Sequence, residues 1–256
     1  MSVQSELKAP ILLLQSRHPD DIMLNHEMEC IREHLGPGIT LHSHNAINSP
    51  FPPNQLSHFA GVVFGGSGDC SVIDPHNQPW VTPLLRVLER TLEENIPGLG
   101  LCFGHQLLAK ALGATVATDP KREESGTIDL DLTPAGKQDP LFKPLPSPFP
   151  AHTGHSDSVM DVPTGVTLLA TSRRLSTQAF RVDDAPFFST QFHPDLTGLQ
   201  AQERYRAYQE LLPRGDRKPN EELFTPRADQ ATGILRRFGQ WVLREQNHLP
   251  PSPPVA

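Results

Sequence analysis

From residue 10 to residue 113, short apolar runs alternate with stretches of helical periodicity, and few architectures accept that alternation. Residues 11–14 form an unbroken apolar run, which predicts a strand buried on both faces. Leu24, Met28, Ile31 and Leu35 then recur at helical spacing up to Gly36, a residue suited to ending a helix. Further strands are predicted at 39–41, 61–64 and 99–101. Val81, Leu85, Leu88 and Leu92 mark a second helix; Leu107, Leu108, Ala111 and Leu112 mark the inner face of a third, closing at Gly113. Such alternation predicts an α/β fold: a doubly wound, mostly parallel central sheet with helices on both faces. The later half is richer in strands, predicted at 115–118, 127–132, 166–170, 178–182 and 187–192, which adds antiparallel strands to that sheet. Two helices are predicted after them, at 198–212 and 228–245.

Composition narrows the setting. A chain of 256 residues, 37% hydrophobic, can bury a full core without metal or disulfide staples, and residues 1–248 read as one domain. Cys30, Cys70 and Cys102 are too few and too scattered for a disulfide framework. A net charge of -7 argues against a nucleic-acid surface. No stretch reaches membrane-spanning length and the N-terminus lacks a signal-peptide core, so a cytoplasmic protein is expected. Of 27 prolines, five fall in 140–150 and four in 249–256. Lacking N–H groups, these segments cannot form helices or central strands. The first reads as a rigid connection between strands and the second as a flexible tail; 213–226 reads as a charged surface loop.

The chemistry concentrates at Gly98-Leu99-Gly100-Leu101-Cys102-Phe103-Gly104-His105-Gln106, where a strand runs directly into a helix. Gly-x-Cys-x-Gly is the cysteine form of a nucleophile elbow, with glycines where the backbone turns sharply and neighbouring chains come close. A cysteine there sits at a helix N-terminus, which favours its thiolate. The Phe103 N–H is placed to donate to the oxygen of an attacked carbonyl. Gln191-Phe192-His193-Pro194-Asp195 follows another predicted strand and offers a base with an orienting acid. The order nucleophile, base, acid excludes the usual α/β-hydrolase arrangement. Gly65-Gly66-Ser67-Gly68, after the strand at 61–64, allows main-chain N–H groups to converge on a small anion. No Lys-Ser/Thr follows, so it is not a Walker loop.

Taken together, these motifs resemble class I glutamine amidotransferase domains, the Cys-His-Glu group that releases ammonia from glutamine. The likeness runs from about Ile11 to Asp195, and it implies the flavodoxin-like fold of that group. Gly65 to Gly68 is similar to the family's oxyanion loop, Gly100 to Gln106 to its elbow, and Gln191 to Asp195 to its His-Pro-Glu signature. His155-Ser156-Asp157-Ser158-Val159 is similar to the Ser-His-Gly-Asp-x-Val stretch that lines the glutamine pocket in GMP synthetase-like members. The resemblance implies Cys102 as nucleophile, His193 as general base and acid, and Asp195 as orienting carboxylate. It also implies oxyanion donors from Phe103 of the elbow and from Gly66, in a loop completed by Gly68, with glutamine contacts from Gln106 and from His155, Ser156 and Asp157. Two departures stand out: Asp195 replaces the usual glutamate, and Ser67 a common proline.

The expected substrate is glutamine or a γ-glutamyl compound, with no cofactor, and a separate synthetase subunit as the expected partner. The alternatives are a stand-alone γ-glutamyl peptide hydrolase or transferase, and a non-catalytic regulator that kept the fold. No metal is expected, because neither His42/His44 nor His152/His155 has a second ligand pair at suitable spacing. All four read as loop or surface residues, Cys30 as a core residue, and Trp80 and Trp241 as packing residues.

Overall fold

Alternate side chains of the first strand, β1 (Ile11–Gln15), enter two different cores, which is why its sequence is apolar without a break. Ile11 and Leu13 pack with Ile31 and Leu35 of α1 (Leu24–Leu35) and with Leu235, Phe238 and Val242 of the last helix. Leu12 and Leu14 face the opposite way, toward Val81, Leu84, Val87 and Leu88 and toward Phe103, Leu107 and Leu108. The computed structural model describes residues 9–211 and 223–248; the predicted tail at 249–256 and most of the predicted loop at 213–226 lie outside them.

The elements continue as β2 (Leu41–Asn45), β3 (Gly61–Phe64), α2 (Gln78–Glu93), β4 (Gly98–Leu101) and α3 (Phe103–Ala111). Six strands follow: β5 (Val116–Thr118), β6 (Glu124–Leu132), β7 (Phe149–His155), β8 (Asp157–Val159), β9 (Val166–Ser172) and β10 (Ala179–Val182). Then come β11 (Phe187–Thr190), α4 (Gly198–Leu211) and α5 (Gly233–His248), the last preceded by a 3₁₀ turn over Pro226–Thr232. Nine strands share one sheet in the order β2-β1-β3-β4-β11-β10-β9-β6-β7, while β5 and β8 form a separate antiparallel pair. Pairing is parallel from β2 through β11 and antiparallel from there to β7. The expected doubly wound, mixed sheet is therefore present, with α1 and α5 on one face and α2 and α3 on the other.

Several expectations need correction. The strand expected at 39–41 lies at β2, whose His42 and Ser43 are exposed, because an edge strand needs little apolar cover. The buried face of α2 runs through Val81, Leu84, Val87, Leu88 and Thr91, leaving Leu85 and Leu92 half-buried. β7 and β8 have no counterpart among the predicted strands. β7 begins at Phe149, within the segment read as a connection, and tolerates Pro150 because it pairs on one side only, with β6. His152 and His155, expected at the surface, are both buried in β7. The helix expected at 228–245 is split, its first turn being 3₁₀. Cys30 is buried as expected, Trp80 stacks on Phe103, and Trp241 packs on Phe188 and Phe238. Among the described residues, no helix is long and apolar enough to cross a membrane.

Candidate active site

Cys102 joins β4 to α3 with φ 48° and ψ -93°, a backbone conformation that L-residues seldom adopt. Its surroundings enforce the turn. The Cys102 N–H donates to the Thr190 carbonyl of β11 at 2.8 Å, and its carbonyl accepts from His105 and Gln106 N–H at 3.1 Å each. The flanking glycines are needed for close approach: a Cβ on Gly100 would lie 2.6 Å from the Gly104 carbonyl oxygen, and one on Gly104 would run into the Phe64 carbonyl. Both glycines of the motif thus serve to seat α3 against β3 and β4, which presents the sulfur at the C-terminal ends of the parallel strands.

The sequence after β11 brings an imidazole to the same cleft as that sulfur. His193 Nδ1 lies 2.9 Å from Asp195 Oδ1, and the imidazole is near enough to Cys102 for the sulfur to favour its protonated form. Asp195 Oδ2 accepts from Arg204 Nη1 of α4 at 3.1 Å. Burial favours the neutral imidazole, but Asp195 and the Cys102 sulfur outweigh it and raise His193 from 6.5 to about 9. Burial likewise favours a protonated Asp195, yet Arg204 and then His193 hold it far below the ordinary carboxylate range. The backbone N–H of His193 donates to the His152 carbonyl at 2.8 Å, and Gln191 Nε2 lies 3.5 Å from the Cys102 sulfur. Cys102, His193 and Asp195 are thus brought together, each less than a tenth exposed.

The glycine loop sits beside this group but is engaged elsewhere. A Cβ on Gly66 would meet His193 Cε1 at 3.2 Å, so the loop lies against the imidazole. The Gly66 N–H, expected to face an oxyanion, donates instead to Glu27 Oε1 of α1 at 2.9 Å. Glu27 is buried and held by Gln15 Nε2 at 3.1 Å and by the buried Arg17 at 3.2 Å. Gly68 leaves room for the Tyr208 hydroxyl and the Asp21 carboxylate, which a Cβ would meet at 2.7 and 2.9 Å.

A cleft of about 650 Å³ opens over Cys102 and His193. Ser156 lies exposed on its wall, and the Gln106 side chain donates to the Asp157 carbonyl at 2.9 Å, tying α3 to β8. The Asp157 carboxylate accepts from Thr118 and Ser71 hydroxyls. His155 Nδ1 lies 2.9 Å from the Asp157 carbonyl and its Nε2 3.4 Å from Glu124, so its ring is engaged in the wall's own structure. His105, one turn on from Cys102, is fully buried between Ser189 and the Thr177 carbonyl, and burial drives it down to about 3, a neutral packing residue. Arg17, Glu27 and Arg204 were missed by sequence reasoning because they arrive from other elements; only Arg17, just past the end of β1, carried a positional signal.

The sequence matches the family model for Glutamine amidotransferase class-I over residues 21–207. Among curated relatives, it is 30% identical over 158 residues to a glutamine-hydrolyzing GMP synthase subunit of Thermococcus kodakarensis, covering 59% of this chain and 74% of that one. The same-named protein of Pyrococcus abyssi is 33% identical over 154 residues, covering 58% and 72%. A glutamine amidotransferase of Thermotoga maritima superposes with TM-score 0.73 at 22% identity, covering 92% of this chain and 98% of that one. One from Methylobacillus flagellatus superposes with TM-score 0.66 at 19% identity, covering 93% and 94%.

Proposed function

The chain belongs to the class I glutamine amidotransferases, cysteine-dependent amidohydrolases, and from that premise we propose that it hydrolyses glutamine and passes the ammonia to a separate synthetase subunit. The observation that carries this reading is the elbow cysteine sharing a cleft with an imidazole that Asp195 holds at 2.9 Å. The Cys102 thiolate attacks the carboxamide carbon, and the carbonyl electrons move onto oxygen. The imidazolium of His193 then gives its proton to the departing nitrogen, so that ammonia rather than amide leaves. His193, neutral again, takes a proton from water as the water attacks the thioester; glutamate leaves and the thiol reforms. The Phe103 N–H, first in α3, supports the oxyanion. Gly66 joins it only once its N–H exchanges Glu27 for the substrate oxygen. A single lost donor of this kind slows turnover by about a hundredfold or more. Gln106 and the backbone of Ser156 and Asp157 hold the amino-acid end of the substrate.

The partner reading draws on the relatives, which are named as subunits of a glutamine-hydrolyzing GMP synthase. A second reading, hydrolysis or transfer of γ-glutamyl peptides, shares every step up to the leaving group. It draws on a cleft that runs on past Tyr205 to Phe224, room beyond a glutamine side chain. Glutamate release from glutamine and from γ-glutamyl dipeptides, compared between wild type and Cys102→Ala, separates the two. Release from glutamine that vanishes in Cys102→Ala supports the first; release from dipeptides alone supports the second. No release from either, with no rapid iodoacetamide labelling of Cys102 at neutral pH, overturns both in favour of a non-catalytic regulator.

A further inference from the structure

Two loops at the mouth of the cleft bring together three side chains that the sequence keeps far apart. His18 follows β1, while Asp69 and Cys70 follow the glycine loop after β3. His18 Nε2 lies 3.7 Å from Cys70 Sγ and 3.9 Å from Asp69 Oδ1, and Cys70 Sγ lies 3.7 Å from Asp69 Oδ1. Among the described residues, this is the one group of three or more metal-ligating side chains with all donor atoms within 4.8 Å of one another.

Those separations match a particular kind of occupant. Zinc at about 2.3 Å from sulfur and about 2.0–2.1 Å from nitrogen or oxygen, in tetrahedral geometry, spaces its donors by about 3.3–3.6 Å. Contraction of a few tenths of an ångström closes the set, and His18 and Asp69 are half or more exposed, free to make it. One sulfur, one imidazole and one carboxylate suit a borderline ion such as Zn²⁺ rather than Mg²⁺ or Ca²⁺, which prefer all-oxygen shells. Cys70 is already set in place, its N–H donating to Ser67 Oγ at 2.9 Å. We propose that His18, Asp69 and Cys70 form a three-ligand site for Zn²⁺ or a similar divalent ion, pinning the loop after β1 to the glycine loop. On binding, the Cys70 S–H bond breaks, a sulfur–metal bond forms and the proton passes to solvent. Asp69 and Cys70 line the cleft that also holds Cys102, but the site does not depend on the reaction assigned to that cysteine.

Cobalt reports such a site directly, because thiolate ligation gives a sulfur-to-metal charge-transfer band and four-coordination gives intense visible absorption. The full chain carrying Cys102→Ala, which removes the other sulfur lining the cleft, is titrated with Co²⁺ under a non-thiol reductant. One equivalent should bind with both signatures, and Zn²⁺ should displace it and raise the thermal midpoint. Adding Cys70→Ser should abolish the charge-transfer band and the thermal shift, while His18→Ala should weaken binding at least tenfold. Equal thermal midpoints in chelator establish that these variants fold. Absence of the band, or its survival in the Cys70→Ser chain, overturns the assignment.

Discussion

The carboxylate of Asp195 is shared between two cationic groups, His193 on one oxygen at 2.9 Å and Arg204 on the other at 3.1 Å. This sharing fixes how the carboxylate is turned: Arg204 holds the far oxygen, which leaves the near one against the imidazole. Arg204 is thus a positioning residue. Arg204→Met keeps most of the stem's packing but removes the charge, and glutamate release should fall by roughly 10- to 100-fold, the cost of a misaligned base. The carboxyl of Asp195 would rise toward its ordinary range, so the acid limb of the pH–rate profile should move to higher pH; Arg204→Lys should recover part of both effects. An unchanged profile would make Arg204 purely structural. The raised His193 carries a second consequence. Its folded-state pKa of about 9 exceeds the unfolded 6.5, so its contribution to stability is complete below about pH 6.5 and disappears as pH rises through 9. The gap in unfolding free energy between wild type and His193→Gln should therefore shrink between pH 7 and 10, by about 3 kcal/mol at most. A gap constant over that range contradicts the charged pair. At this scale Cys102, His193 and Asp195 were legible because each lies in a short contiguous motif. Glu27 and Arg204 were not, since nothing in the local sequence of a helix marks which of its charged residues the fold will bury.

Elements were legible where apolar pattern and turn chemistry agreed. β3 and the helix end at Gly36 were, the latter adopting φ 98° as a helix-terminating glycine can. β7 was hidden because its buried positions, Phe149, Ala151, His152, Thr153 and His155, are mostly small or polar and do not alternate with exposed ones, so burial leaves no period-2 hydrophobicity. The histidines in it are buried by hydrogen bonding, which composition does not report. The elbow makes the sharpest element-scale prediction. Gly104→Ala forces a methyl into the Phe64 carbonyl, and α3 can make room only by moving off β3. A loss of about 2–3 kcal/mol in denaturant unfolding is expected, together with most of the activity, because the same shift moves Cys102. Gly154→Ala is the control: its Cβ meets nothing within 4 Å, and its stability should stay within about 0.5 kcal/mol of wild type. Equal losses in the two variants would mean that the close approach at the elbow is not what the glycine provides.

Across the whole molecule, the parallel half of the sheet meets the antiparallel half at β11, which pairs in parallel with β4 and antiparallel with β10. Cys102 follows the end of β4 and His193 the end of β11, so the proposed catalytic group sits at the edge of the parallel half, beside the line along which the halves could separate. Phe187 and Phe188 on β11 enter opposite cores, binding that line from both faces. If residues 9–248 form one cooperative domain, the two faces must melt together. Two tryptophans report on them independently: Trp80 stacks on Phe103 on the α2–α3 side, and Trp241 lies against Phe188 on the α5 side. Fluorescence of Trp241→Phe, which reads Trp80 alone, and of Trp80→Phe, which reads Trp241 alone, should each follow the far-ultraviolet circular dichroism of its own variant through a single urea transition. A tryptophan signal that leaves the circular dichroism curve, on either face, would split the chain into two folding units, one to each face of the sheet.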